Sequence, residues 1–174
     1  RRVKGVRLMV EKDVLPANGS FRPPPVKSSI AVGDYFLDHH HSKAFLPPGE
    51  RLEENYPDNA PFQIPFETLI PEKADGLVVA EKSISVSHIV NGCSRLQPVV
   101  MLIGQAAGVI AALSVLEGKQ PRNLEVAKVQ EKLLLAGCQL FPYRDLYNSD
   151  PAFSEAQLKA LAGEFKDNKD FTYY

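Results

Sequence analysis

From Pro98 to Leu116 the sequence runs apolar until Gly118, and small residues crowd it: Gly104, Ala106, Ala107, Gly108, Ala111 and Ala112. Pro98 suits a first helical turn, where its missing N–H costs nothing, and Gly118 suits a left-handed stop. A helix with so narrow a face lets its backbone lie very close to something flat, either a sheet or a ligand. Its length approaches the ~20 apolar residues that span a bilayer, and Gly104-x-x-x-Gly108 matches a membrane dimer motif. Against a span stand Gln105 near the middle, a run built largely of weakly apolar alanines, and neighbouring helices of the soluble, amphipathic kind. A buried helix in a soluble protein is the better reading.

The first half of the chain reads as strands and irregular arms. Val3, Val6, Leu8 and Val10 fall on one face of a strand within residues 1–14. Four prolines with Asn18, Gly19 and Ser20 make residues 16–25 a loop. Residues 29–38 form a strand sequence, with Ile30, Val32, Tyr35, Phe36 and Leu37 suited to a half-buried pleat. A long arm follows over residues 39–61. Residues 62–69 are extended, with Pro65 confining them to an edge or a bulge. Residues 76–80 (GLVVA) form a short apolar run typical of a strand buried on both faces. Helices dominate the second half. Asn123 caps a helix over residues 124–136 that buries Val126, Val129, Leu133 and Leu134 and ends at Gly137. Asp150 and Pro151 start another, with Phe153, Leu158 and Leu161 inward. The fold class is therefore α/β, a mixed arrangement of early strands and later helices.

At 174 residues the chain can bury one core. Its formal net charge of −1 argues against broad attraction to nucleic acid or anionic lipid. Cys93 and Cys138 form neither a disulfide framework nor a zinc pattern. The run His39-His40-His41 cannot converge on a metal without a bend, because consecutive strand residues point to opposite faces. A hydrogen-bonded loop is the better reading, and no metal site is expected. The abrupt start, Arg1-Arg2-Val3, reads as a piece of a longer protein.

Ahead of the small-residue helix stands a polar approach with Ser87, His88, Arg95 and Gln97. Close packing on a strand such as residues 76–80 would account for Gly104 and Gly108. The uncompensated N–H groups of a helix N-terminus would equally favour an electron-rich ligand edge, with Arg95 and Gln97 adding donors. The residues alone leave both readings open.

The order of features resembles flavoprotein oxidoreductases of the glutathione-reductase type: a strand, a polar turn, then a helix marked GQAAG, here residues 104–108. Further motifs are S-x-S-H at residues 85–88 and R-x-x-P at residues 95–98. Arg1-Arg2-Val3-x-Gly5 with Asp13-Val14, Ser29-Ile30-Ala31-x-Gly33 with Leu37-Asp38-x-His40, and Ile64-Pro65-Phe66 before Leu69-Ile70-Pro71 complete the set. Together these resemble the FAD-dependent oxidoreductase family of polysaccharide-degrading bacteria, some members of which are labelled xanthan lyase. The resemblance covers residues 1 to about 140.

The resemblance implies three parts: substrate-side strands and a long arm over residues 1–75, the C-terminal part of an FAD-binding domain over 76–140, and a helical extension over 141–174. It implies cofactor contacts from Glu81, Ser87, Arg95, Gln97 and Val99, on the pyrimidine-edge side of the flavin. Glu81 stands where the family often has Gly near the ribityl chain. His88 is the candidate for proton transfer, beside its reading as a structural histidine bonded to a backbone carbonyl. No G-x-G-x-x-G follows a strand, so the pyrophosphate half of FAD must be held by a dinucleotide-binding segment upstream of Arg1. The isolated chain is then expected to carry no FAD and to be inactive alone. A small molecule or a sugar would be the substrate, and a periplasmic or secreted location would follow the family. Lyase chemistry finds little support, because the tyrosines are scattered and there is no Trp. The rival class is a non-catalytic carbohydrate- or protein-binding accessory domain in which the GQAAG helix is purely structural.

Overall fold

The computed structural model describes residues 3–16, 20, 22–38, 58–142 and 148–162. Its sheet has two antiparallel strands, β1 (Ser29–Gly33) and β2 (Phe62–Pro65). Ala31 faces Ile64, Val32 faces Gln63 and Gly33 faces Phe62, with an irregularity between Ser29 and Ala31 where Ser29 faces Pro65. Pro65 lacks an N–H for the ladder, so the strand ends there and turns into a 3₁₀ helix over Phe66–Thr68. A side chain at Gly33 would put its Cβ 2.4 Å from the Phe62 ring and 3.0 Å from Val99, so only glycine lets strand, ring and helix meet. The strand expected to reach residue 38 stops at Gly33; Tyr35 and Phe36 stack on each other beyond it, with Phe36 exposed.

The single-turn helix α1 (Asn91–Ser94) leads into α2 (Gln97–Glu117), which crosses β1 and packs on α3 (Val126–Leu135). Pro98 lies in the first turn of α2, and Gly118, at φ 60°, ends it. The buried side of α2 is Val99, Ile103, Ala106, Ala107 and Ile110, a stripe at helical spacing. Gly104 and Gly108 lie off that stripe. A Cβ built on either meets nothing within 4 Å, so the expectation that this face packs on strand backbone fails within this chain. The face is instead solvent-lined and apolar, with Met101, Val115 and Leu116 at 73%, 83% and 80% exposure.

Residues 76–80 also differ from expectation. They form no strand and are exposed or half-buried. Val79 donates one hydrogen bond to the Leu69 carbonyl at 2.9 Å, and Gly76 turns at φ 66°. A buried strand needs neighbours on both sides; among the described residues this run has one backbone bond to a neighbouring segment, from Val79 to Leu69, and no ladder. The N-terminal segment is likewise not a strand with one apolar face. Gly5, Met9, Asp13 and Val14 are its buried residues, whereas Val6 and Leu8 are over half exposed. Its backbone is wedged between two segments: Val6 N–H reaches Ile70 O at 2.8 Å, and Met9 N–H reaches Ser85 O at 3.0 Å. Gly5 has no room for a Cβ, which would lie 2.7 Å from that of Ser85.

Asn123 does not cap α3. It closes a 3₁₀ turn, Pro121–Asn123, and the helix begins after Glu125 with no side-chain cap. Val129, Leu133 and Leu134 are buried as the periodicity requires, and Gly137 follows at φ 75°. In α4 (Phe153–Leu161), Phe153 and Leu161 are buried, but Leu158 is 46% exposed. Asp150 and Pro151 lie in the turn before α4 rather than at its cap, which is Ala152. Buried glutamines tie these layers together. Gln157 accepts from the N–H groups of Leu140 and Phe141 at 2.8 and 2.6 Å and donates to Phe141 O at 3.0 Å. Gln130 donates to the carbonyls of Lys27 and Ser29, and Gln63 to that of Leu140.

Candidate functional site

The start of α2 is the best-formed candidate. Leu96 precedes it in an extended conformation, no side chain caps it, and its first intrahelical bond is from Val100 N–H to Leu96 O at 2.9 Å. The N–H groups of Gln97 and Val99 therefore point out of the helix end without an intrahelical acceptor, and Pro98 has none. Gln97 is exposed and Val99 buried, so one flank of this end is open while the other is anchored in the core.

Arg95 lies just ahead of α2. Its Nη2 donates to the Asp38 carboxylate at 3.0 Å and to the Asp38 carbonyl at 3.3 Å. The backbone of Asp38 crosses α1 so closely that a Cβ on Gly92 would lie 2.7 Å from its carbonyl oxygen. Gly92 thus permits the crossing that places Asp38 beside Arg95. The guanidinium is half-exposed, and its Nε and Nη1 have no partner among the described residues, leaving donors for a ligand. Asp38 lies in the motif Leu37-Asp38-x-His40, but nothing in the sequence linked it to Arg95.

Ser87 is committed to the fold. Its hydroxyl donates to Glu11 at 2.7 Å and accepts from Val90 N–H at 3.1 Å, securing the turn before α1. His88 is exposed in that turn. Glu81 begins a 3₁₀ turn, Glu81–Ser83, that packs against α2. It is exposed and is the one non-glycine residue with positive φ, 58°, among those described. A left-handed backbone is what glycine adopts without strain, so the structure gives a physical reason for glycine at this position. No hydrogen bond joins Glu81, Ser87, Arg95 and Gln97 to one another. What they share is the approach to α2.

Burial pushes the Cys93 thiol up to about 12 and raises that of Cys138; both are buried and unbridged. Among the described residues no group of His, Cys, Asp and Glu could hold a metal, and residues 39–41 lie outside the described part. A pocket lined by Pro23, Pro61, Phe62 and Phe141 includes none of the expected site residues.

The profile of the family described as FAD dependent oxidoreductase matches residues 1–133. The chain belongs to this family. No curated protein and no solved structure matches it. The match runs from the wedged N-terminal segment through nearly all of α3, so it includes the helix end, Arg95 and the Glu81 turn. FAD is the cofactor of the family. An uncapped helix N-terminus with an open flank and a cation beside it suits the electron-rich edge of a flavin, so the residues present fit that part of the group. The sequence holds no glycine-rich pyrophosphate fingerprint for the rest.

Proposed function

We propose that this chain is the C-terminal part of an FAD-dependent oxidoreductase. It would supply the pyrimidine-edge side of the flavin site and part of the substrate domain, and be inactive alone. In this reading residues 1–75 lie on the substrate side, 76–140 complete the flavin domain and 141–174 clad it. The observation that carries the reading is the uncovered apolar side of α2. The helix is long and apolar enough to cross a membrane, yet only 28% of its most apolar stretch is buried. Contiguous exposed apolar surface of this kind marks an interaction face. Residues 76–80, a strand sequence without a ladder, need a neighbour as well. A dinucleotide-binding segment that brings a sheet would satisfy both and hold the pyrophosphate.

When bound, FAD supplies hydride acceptance. This chain would supply electrostatics: the N–H groups of Gln97 and Val99 and the unengaged donors of Arg95 favour negative charge at the flavin edge on reduction. Asp38 holds Arg95 at the helix end. His88, exposed in the turn before α1, would be the candidate for proton transfer. The substrate would be a small molecule or a sugar.

The test has two parts. The purified chain should show no visible flavin absorption, and co-expression with the upstream segment should restore it; stoichiometric flavin in the isolated chain would put the binding determinants here and refute the division. In the complete protein, Arg95→Ala should lower the flavin potential, because a charged donor beside a partly buried anion contributes about 1.5–3 kcal/mol. An unchanged potential would leave Arg95 only its structural tie to Asp38.

A further inference from the structure

The exposed loop over residues 71–76 is held by an arginine nearly fifty positions away. Arg122, in the 3₁₀ turn Pro121–Asn123, donates from Nη2 to the carbonyls of Pro71 and Ala74 at 3.0 and 2.9 Å, and from Nη1 to that of Glu72 at 3.3 Å. Its Nε lies 3.0 Å from the Asp75 carboxylate. Gln120, two residues earlier, accepts from Gly76 N–H at 2.6 Å. The planar guanidinium presents its donors in a rigid fork, so several carbonyls can be gathered in one geometry, which a lysine cannot do.

Downstream the backbone is pinned at two more places. Val79 N–H bonds to Leu69 O at 2.9 Å, and Ser83 O accepts from Val3 N–H at 3.0 Å. Between those pins sits Glu81, forced to φ 58°. A left-handed backbone is costly for a residue with a Cβ and persists only when its surroundings over-determine it. Arg122 and Gln120 fix the far side of the loop that the Val79–Leu69 bond closes, so part of its ordering cost is met before that bond forms.

We infer that Arg122, with Gln120, is a positioning residue: it clamps the 71–76 loop so that the left-handed turn at Glu81 is presented ready-made beside α2. This rests on the proposed function, together with the resemblance that sets Glu81 near the ribityl chain of the flavin. Without the clamp the segment has more conformations to lose when the cofactor binds, and affinity falls by the fraction of molecules with the turn in place.

Two readouts test this in the complete protein: amide hydrogen exchange over residues 76–82 without cofactor, and FAD affinity. Arg122→Ala should speed exchange there about tenfold and weaken FAD binding by a similar factor, with Gln120→Ala giving a smaller change in the same direction. Glu81→Gly in the Arg122→Ala background should recover most of the affinity, because glycine takes φ near 60° without help. Unchanged exchange in both single variants would overturn the clamp. Faster exchange with unchanged FAD affinity would leave the clamp standing and remove the turn from the flavin site, refuting the placement on which the inference rests. Loss of affinity without recovery by Glu81→Gly would show that Arg122 does not act through Glu81.

Discussion

Replacing Gly104 and Gly108 together by alanine should stabilise this chain when isolated and destabilise the complete protein. In the isolated chain neither new Cβ meets an atom within 4 Å, so no steric cost arises. Glycine within a helix costs about 0.8–1.0 kcal/mol relative to alanine, and both positions lie inside α2, so the double variant should gain about 2 kcal/mol. With a urea slope of about 2 kcal/mol per molar, the unfolding midpoint followed by circular dichroism should rise by about 1 M. In the complete protein a sheet resting on this face would meet both methyl groups. Overpacking costs typically 1–3 kcal/mol per site, which cancels the helical gain and leaves a net loss of up to about 4 kcal/mol. The reversal of sign is the diagnostic. Stabilisation in both proteins would mean nothing covers the face in the parent, refuting the reading of α2 as a docking helix. Destabilisation of the isolated chain would mean that a second copy already covers it, which sedimentation would confirm.

Cys93 and Cys138 should not react with a thiol reagent at pH 8 until the chain is unfolded in urea; rapid labelling of the native chain would show the core is open. The Cys93 thiol, raised from 9.0 to about 12, stays neutral in the fold while an unfolded one ionises, so stability should fall as pH rises from about 9 to 12, and Cys93→Ala should flatten that slope. Gln157→Leu should cost about 2 kcal/mol in urea unfolding, since it removes the acceptor shared by the buried N–H groups of Leu140 and Phe141. A loss below about 1 kcal/mol would mean that water reaches those groups.

Local chemistry made much of the architecture legible in the sequence. Pro98 and Gly118 bracket α2, Gly137 ends the turn after α3, and Pro65 closes β2, because each residue type restricts or frees the backbone wherever it sits. The motifs around Arg95 and residues 104–108 likewise led to the family that matches residues 1–133. What tertiary structure alone decided is which surfaces find a partner. The run at residues 76–80 has the sequence of a strand, but a strand exists only where another backbone offers its hydrogen bonds, and among the described residues Leu69 alone does so from a neighbouring segment. The spacing of Gly104 and Gly108 permits close approach without saying what approaches; the core of this chain chose the stripe from Val99 to Ile110, leaving the glycines to solvent. Arg95 and Asp38, 57 residues apart, meet because Gly92 lets two backbones cross, and Arg122 reaches its carbonyls across about 50 residues. Side-chain periodicity records the local backbone, whereas pairings over such separations are set by the packing of the whole core.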